Sequence, residues 1–329
     1  MKLPTIFSGI QPSGNIHLGN YLGALTHWVE LQRGYNCIYS VVDLHALTVR
    51  QDADELRKAC RDVVAMLVAI GIDPRNSILF VQSHVRAHSE LAWLLSCFTY
   101  MGELGRMAQF REKSVKNEDN INAGLFTYPV LQAADILLYQ TNLVPVGEDQ
   151  RQHLELTRDL ALRLNGILGD VFAVPEAHTP KEGARIKSLQ DAGRKMSKSD
   201  NGNERGIIYL IDSPEKIRAK IKRAVTDSEG VVAYSAEKPG ISNLLNIYAA
   251  IRSVSALEAE AMFAGMSYGA LKEGVAEAVV AALEPIRQRY EELCDNPAFL
   301  DSIINEGAER ANEVANKTIG QVKTRLGLS

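Results

Sequence analysis

The stretch TIFSGIQPSGNIHLGN (5–20) decides the fold. It opens with a short apolar run, 5–9, that suits a buried strand. It crosses three glycines, Gly9, Gly14 and Gly19. It then enters 17–34, where Leu18, Leu22, Leu25, Trp28, Val29 and Leu31 recur near helical spacing. Strand, glycine loop and helix in that order form the first turn of an α/β unit. In an open parallel sheet, ligands bind beyond the carboxyl ends of the strands, facing helix N-termini. Glycine lets the backbone approach such a ligand closely. His17 can donate to phosphate oxygen in either charge state, and Asn20 through its amide. On spacing alone, the same residues also fit an ordinary glycine-bearing turn.

The neighbouring segments continue the alternation. NCIYSVVD (36–43) is apolar almost throughout, as a strand covered on both faces should be. Asp52 and Glu55 form a capping-box pattern for a helix over 53–70 that stops at Gly71. Residues 77–82 read as a third strand. This βαβαβ order predicts a doubly wound parallel sheet, an α/β fold. Further helices are expected over 92–109, 128–140 and 148–165, with Pro129 in the first turn of its helix. From about residue 200 onward there is almost no strand signal. Ser213 caps a helix over 214–224, and 241–255 follows Gly240. The expected division is a sheet-bearing domain over 1–192 and an all-helical C-terminal domain over 193–329.

Composition narrows the function. Apolar residues make up 46% of 329, enough for a sizeable core, and the net charge is −4. A nucleic-acid partner would therefore meet a local basic patch and not a basic protein. Cys37, Cys60, Cys97 and Cys294 lack metal-ligand spacing, so no zinc or iron–sulfur site is expected. Cys37 and Cys97 lie in apolar runs and read as buried thiols. The start, MKLPTIFSGI, has too short an apolar run for a signal peptide, and no run approaches about 20 apolar residues. We expect a cytoplasmic protein with no membrane span.

The loop GRKMSKSDNG (193–202) carries Lys195 and Lys198 as point charges, with Ser197 and Ser199 as hydroxyl donors. A lone pair of lysines in such a loop is usually solvated surface. Taken with HLGN (17–20), the loop resembles the HIGH and KMSKS signatures of class I aminoacyl-tRNA synthetases. KMSKS (195–199) matches throughout, and HLGN departs at Asn20, where many members carry a second His. The resemblance implies a Rossmann-like catalytic domain that uses ATP with Mg²⁺. An amino-acid carboxylate attacks the α-phosphorus, pyrophosphate leaves, and the aminoacyl group passes to tRNA. It gives His17, Asn20, Lys113, Lys195 and Lys198 the task of stabilising phosphate charge in the transition state. Gln11, Pro12, Ser13, Gly19 and Asn20 would contact ATP, together with Ser197 and Ser199. Gly147, Glu148 and Asp149 would hold the ribose, while Ile186 and Met196 would flank the adenine.

Within that class the chain is similar to bacterial tryptophanyl-tRNA synthetases. The likeness runs through FSGIQPSG (7–14), YPVLQAADILLY (128–139), VPVGEDQ (144–150), GARI (183–186), AVTDS (224–228) and PGISNLLNIY (239–248). It implies L-tryptophan and tRNA(Trp) as substrates. An indole N–H only donates, so a carboxylate in an apolar pocket is its natural partner. The resemblance assigns that place to Asp135, with Phe7, Val144 and Val146 as apolar wall. Tyr128, Gln132, Gln150 and His45 would complete the pocket, the last two at the amino-acid end. His45 also reads as a histidine at the end of a buried strand. Tyrosyl-tRNA synthetases are the near alternative, because Tyr128, Gln132 and Asp135 match their arrangement. Phe7 speaks against it, since tyrosyl enzymes carry a Tyr there to bond the phenol. A site built for a specific hydrogen bond discriminates by ~10⁴–10⁵.

The family acts as a homodimer, and the apolar run 91–100 is a candidate interface. The basic run KIRAKIKR (216–223) would put Lys216, Lys220 and Arg223 on one helix face, either toward tRNA phosphates or toward solvent. Two other readings stay open: an adenylyltransferase that uses no tRNA, and a non-catalytic paralogue that binds tryptophan or RNA. The helices after 200 argue against the first. Intact His17 and KMSKS lysines argue against the second.

Overall fold

The computed structural model describes residues 3–109, 121–147, 150–178, 184–197 and 204–328. Three strands follow the sequence reading closely: β1 (Thr5–Ile10), β2 (Asn36–Val41) and β3 (Ile78–Val81). β2 and β3 are buried along nearly their whole length, which a strand achieves only when both faces are covered. Two more strands, β4 (Leu143–Pro145) and β5 (Glu176–His178), were not foreseen. At three residues each, they are too short to carry a period. All pairings are parallel, in the order β3-β2-β1-β4-β5. The chain order reverses between β1 and β4, which is where such sheets open a ligand crevice.

The helix after the first glycine loop begins as α1 (Leu18–Asn20). It passes through a π-helical Tyr21–Leu25 into α2 (Thr26–Leu31). α3 (Asp43–Ala46) follows β2. Asp52 caps α4 (Ala53–Ala69) by accepting from the Asp54 and Glu55 N–H groups.

The expected helix over 92–109 is instead two, α5 (Ala87–Ser96) and α6 (Met101–Gly105). The Ser96 and Thr99 hydroxyls donate back to the Ala92 and Leu95 carbonyls. The Glu103 carboxylate accepts from the Tyr100 N–H. Side chains thereby end one helix and cap the next. α7 (Ala123–Leu137) starts earlier than expected, capped by Asn122, so Pro129 lies inside the helix and not in its first turn. α8 (Arg151–Leu168) completes this half.

The described remainder is helical: α9 (Pro214–Lys222), capped by Ser213, α10 (Pro239–Arg252), α11 (Ala256–Met262), α12 (Tyr268–Cys294) and α13 (Pro297–Leu326). These helices share their cores with the sheet. On one face Ile6, Tyr39 and Leu67 cluster with Ile208, Ile221 and Leu244. On the other, Phe80, Leu91 and Ile136 cluster with Ala311, Ala315 and Ile319 of α13. Gly307 lets α13 cross β3 closely, since a Cβ there would run into the Leu79 carbonyl.

Cys37 and Cys60 are buried, whereas Cys97 is exposed, against the sequence reading. It follows the last turn of α5, where the helix turns outward. The basic run on α9 is tied internally. Lys220 Nζ bonds Asp212 at 2.6 Å and lies over the Tyr209 ring, while Arg218 pairs with Glu277 of α12. Lys220 therefore serves the fold and is not presented to solvent with Lys216.

Candidate active site

The loop after β1 holds its two polar residues in a reciprocal cap. His17 Nδ1 accepts from the Asn20 N–H, and Asn20 Oδ1 accepts from the His17 N–H, both at 3.2 Å. An accepting Nδ1 places the ring proton on Nε2, so His17 is in the tautomer that donates through that nitrogen. An accepting Oδ1 likewise leaves the Asn20 amide N–H groups to donate elsewhere. Behind the loop, Leu18 N–H donates to Ile208 O and Leu210 N–H to Ile16 O. Gly19 keeps its Cα side open where His17 and Met196 converge, since a Cβ there would lie 3.1 Å from Nδ1 and 3.4 Å from the Met196 Cβ. The two signature segments therefore meet at Gly19. Met196 is buried and Lys195 exposed. Both follow a bridge in which Met196 N–H donates to Ile186 O.

At the crevice between β1 and β4 lies a cavity of about 480 Å³. That volume suits a small molecule. Phe7 and Gly9 come from β1, and Val144 and Pro145 from β4. Tyr128, Gln132 and Asp135 share one face of α7 at helical spacing. Val146, Gln150, His45 and Gln11 close the rest. The eight residues named for the amino-acid pocket thus line one space.

Asp135 is the electrostatic centre. It is only 2% exposed, yet every hydrogen bond it makes is an accepted one. Oδ1 takes Gln82 Nε2 and His88 Nδ1, each at 2.6 Å, and Oδ2 takes His45 Nε2 at 2.8 Å. Burial opposes its charge. The charge and hydrogen bond of His45, with the hydrogen bond from His88, outweigh that and hold the carboxyl far below the usual range. Gln82 cannot flip, because its Oε1 accepts from the Leu44 N–H. Toward the cavity mouth, the Tyr128 hydroxyl donates to Gln109 Oε1 and bonds His153 Nε2 at 2.9 Å. Burial pushes that phenol up to about 12, so it stays a neutral hydroxyl. Gln132 Nε2 makes one long bond, 3.4 Å, to Gln150.

A family model described as tRNA synthetases class I (W and Y) matches residues 2–284. The chain belongs to this family. It is 52% identical to the tryptophan–tRNA ligase of Clostridium tetani, over 98% of this chain and 95% of that one. Among solved structures it is similar to the tryptophanyl-tRNA synthetase of Mycoplasma pneumoniae. That pair has a TM-score of 0.88 at 36% identity, covering 99% of this chain and 98% of the other. The tryptophanyl-tRNA synthetase of Campylobacter jejuni, complexed with ADP and tryptophan, gives 0.85 at 34%, covering 98% and 100%.

For a member of this family, the doubly wound sheet and helical C-terminal region are the expected frame. The five-stranded parallel sheet described above supplies it. Lys113, Glu148, Asp149, Lys198 and Ser199 lie outside the described residues. Pro12 and Ser13 lie on the loop after β1, Ser197 follows Met196, and Gly147 follows the β4 end. His45 lines the cavity shortly after the end of β2. It sits on α3, and its ring bonds Asp135 at the carboxylate end of the cavity. Sequence reasoning missed Gln82, His88, His153 and Gln109. Gln82 directly follows β3, and the rule that ligands gather at the carboxyl ends of strands could have found it. The described residues hold no group of three or more metal-binding side chains, and no helix among them is long and apolar enough to cross a membrane.

Proposed function

We propose that this chain joins L-tryptophan to tRNA(Trp) in two steps. In the first, the tryptophan carboxylate attacks the α-phosphorus of ATP. A C–O–P bond forms, the bond to the β-phosphate breaks, and pyrophosphate leaves. In the second, a hydroxyl of the terminal tRNA ribose attacks the acyl carbon of tryptophanyl-adenylate, and AMP leaves. The observation that carries this reading is Asp135, a buried ionised acceptor in a cavity of mixed apolar and polar lining beside the glycine loop. A carboxylate with no proton to donate favours a ring N–H. Phe7, on β1 in the cavity wall, offers no hydroxyl partner to a phenol, so the tyrosyl alternative is not favoured.

In this reading His17 Nε2–H and the Asn20 amide face the phosphates, with Lys113, Lys195 and Lys198 adding charge. Gly147, Glu148 and Asp149 hold the ribose. Ile186 and Met196 flank the adenine. Tyr128 and Gln150 hold the substrate ammonium, and His45 steadies Asp135 from the cavity side. Mg²⁺ enters with ATP, carried on its phosphates. Residues 1–192 form the catalytic domain and 193–329 the tRNA-reading region, with α13 bracing the sheet. A homodimer is part of the proposal. Trp93, Tyr100 and Met101 are 71%, 64% and 72% exposed near one another in the chain, which a partner surface would cover.

Pyrophosphate exchange measured with each amino acid, followed by charging of total tRNA, tests the reading. Tryptophan alone should drive exchange. Exchange driven by tyrosine would transfer the chain to the other branch of the family, and exchange without tRNA charging would make it an adenylyltransferase. A monomeric sedimentation mass with full activity would remove the dimer.

A further inference from the structure

The carboxylate in the cavity is reached from behind by a residue that does not line it. His88, on α5, has no exposed surface. Its Nδ1 lies 2.6 Å from Asp135 Oδ1, and its Nε2 lies 2.8 Å from the Tyr139 hydroxyl. Phe80 and Tyr139 rings pack around it at 5.7 and 5.6 Å. The Tyr139 phenol is pushed well above its ordinary range by burial and then by the Asp135 charge, so it keeps its proton. Among the described residues, His88 is the one hydrogen-bond partner of that hydroxyl. The O–H therefore donates to Nε2, and the histidine proton sits on Nδ1, aimed at Asp135.

The consequence lies at the other oxygen. Oδ1 takes two donors, Gln82 and His88, and is filled. Among the described residues Oδ2 takes His45 alone, which leaves one acceptor position for a further donor. We propose that His88 is a positioning residue for amino-acid selectivity: with Tyr139 behind it, it fills Oδ1 and turns the open side of Oδ2 toward a donor on the substrate ring. A substrate ring with an N–H completes the carboxylate, and one without it leaves a buried charge under-bonded. The inference rests on the tryptophan reading given above.

The test compares tryptophan with β-(3-benzothienyl)alanine, in which sulfur replaces the ring N–H at nearly the same shape. Pyrophosphate exchange gives kcat/KM for both with the wild type, His88→Leu, His88→Asn and Tyr139→Phe. Wild type should prefer tryptophan. His88→Leu should lower kcat/KM for tryptophan roughly ten- to hundredfold, mainly through KM, with KM for ATP within about twofold. The benzothienyl substrate should barely change, so the preference collapses by the same factor. His88→Asn keeps an N–H near the Nδ1 position and should restore most of it. Tyr139→Phe should lose about threefold.

If both substrates decline together in His88→Leu, or His88→Asn is as impaired as His88→Leu, the residue only packs and the proposal is overturned. Equal use of both substrates by wild type overturns it too. Should His88→Leu fail to fold, His88→Asn and Tyr139→Phe carry the comparison. A wild type with no tryptophan-dependent exchange removes the ligase reading itself. A normal wild type with an unchanged preference removes only His88.

Discussion

The two ends of the active site are built in opposite ways. At the amino-acid end, the charge is buried and already held in direction by three donors. Asp135 accepts from Gln82, His88 and His45, and each of those is held by a further bond or by packing. At the nucleotide end, Lys195 is exposed and pairs with no carboxylate among the described residues. The reciprocal caps of His17 and Asn20 and the backbone bonds behind them are fixed in advance. The difference follows from what each end must do. Recognition of one ring needs an acceptor whose direction is set before the substrate arrives, because a misdirected buried charge costs several kcal/mol. Stabilising a transferring phosphate needs charge that acts most strongly in the transition state, and an exposed lysine resting in water interacts weakly until it meets one. Selectivity is set in the folded chain, and catalysis is completed by the substrate.

The largest effect should come from breaking the rigid end. Asp135→Asn leaves one amide N–H pointing at donors that need an acceptor. We expect kcat/KM for tryptophan to fall roughly a hundred- to thousandfold, measured by pyrophosphate exchange. KM for ATP should stay near the wild-type value. If the ATP parameters decline equally, the two ends are not separable. A pH profile sharpens the point. The folded pKa of Asp135 lies below its unfolded value, so the group is ionised at every pH above the ordinary carboxylate range. Its contribution is present above the unfolded pKa and is lost only in acid below it. The ratio of wild type to Asp135→Asn should therefore stay level from about pH 8 to pH 5. A ratio that shrinks toward 1 across that range would mean the carboxylate is protonated there.

Lys195→Ala probes the other end and should cost about a hundredfold in kcat for exchange, as removal of one charge-stabilising donor does. KM for tryptophan should remain within about twofold. A loss confined to KM for tryptophan would show that Lys195 belongs to the amino-acid end and would undo the division.

How much was legible in the sequence follows the same line. β1, the glycine loop and the helix after it were readable because apolar runs and glycines are local signals. The pocket residues on α7 were named through the resemblance to tryptophanyl-tRNA synthetases, and the single helix that carries Tyr128, Gln132 and Asp135 puts them on one face. β4 and β5 were not readable, since three residues carry no period. The network behind Asp135 was not readable either. His88, Gln82 and Tyr139 lie on three separate elements, and their meeting depends on how α5 and α7 pack. His45 was named for the pocket, but its bond to Asp135 was not readable, because it depends on how α3 and α7 pack. In the basic run on α9, the pairing of Lys220 with Asp212 and of Arg218 with Glu277 was not readable, since no local pattern links them. Contacts fixed by tertiary packing leave no period in the sequence.

Gln132 gives the smallest effect and the finest test. It shares the α7 face with Asp135 and Tyr128, so it belongs to the rigid end by position. By bonding it does not, since its one long contact to Gln150, 3.4 Å, exceeds the usual hydrogen-bond range. Met is unbranched and of similar reach, so Gln132→Met should fill the same space. We expect kcat/KM for tryptophan to change by no more than about threefold, because a bond this weak contributes less than about 1 kcal/mol. Exchange with tyrosine should stay at background in both proteins. A hundredfold loss would mean that Gln132 bonds the substrate directly. The rigid end would then extend a full turn along α7, and recognition would rest on two polar anchors in place of Asp135 alone.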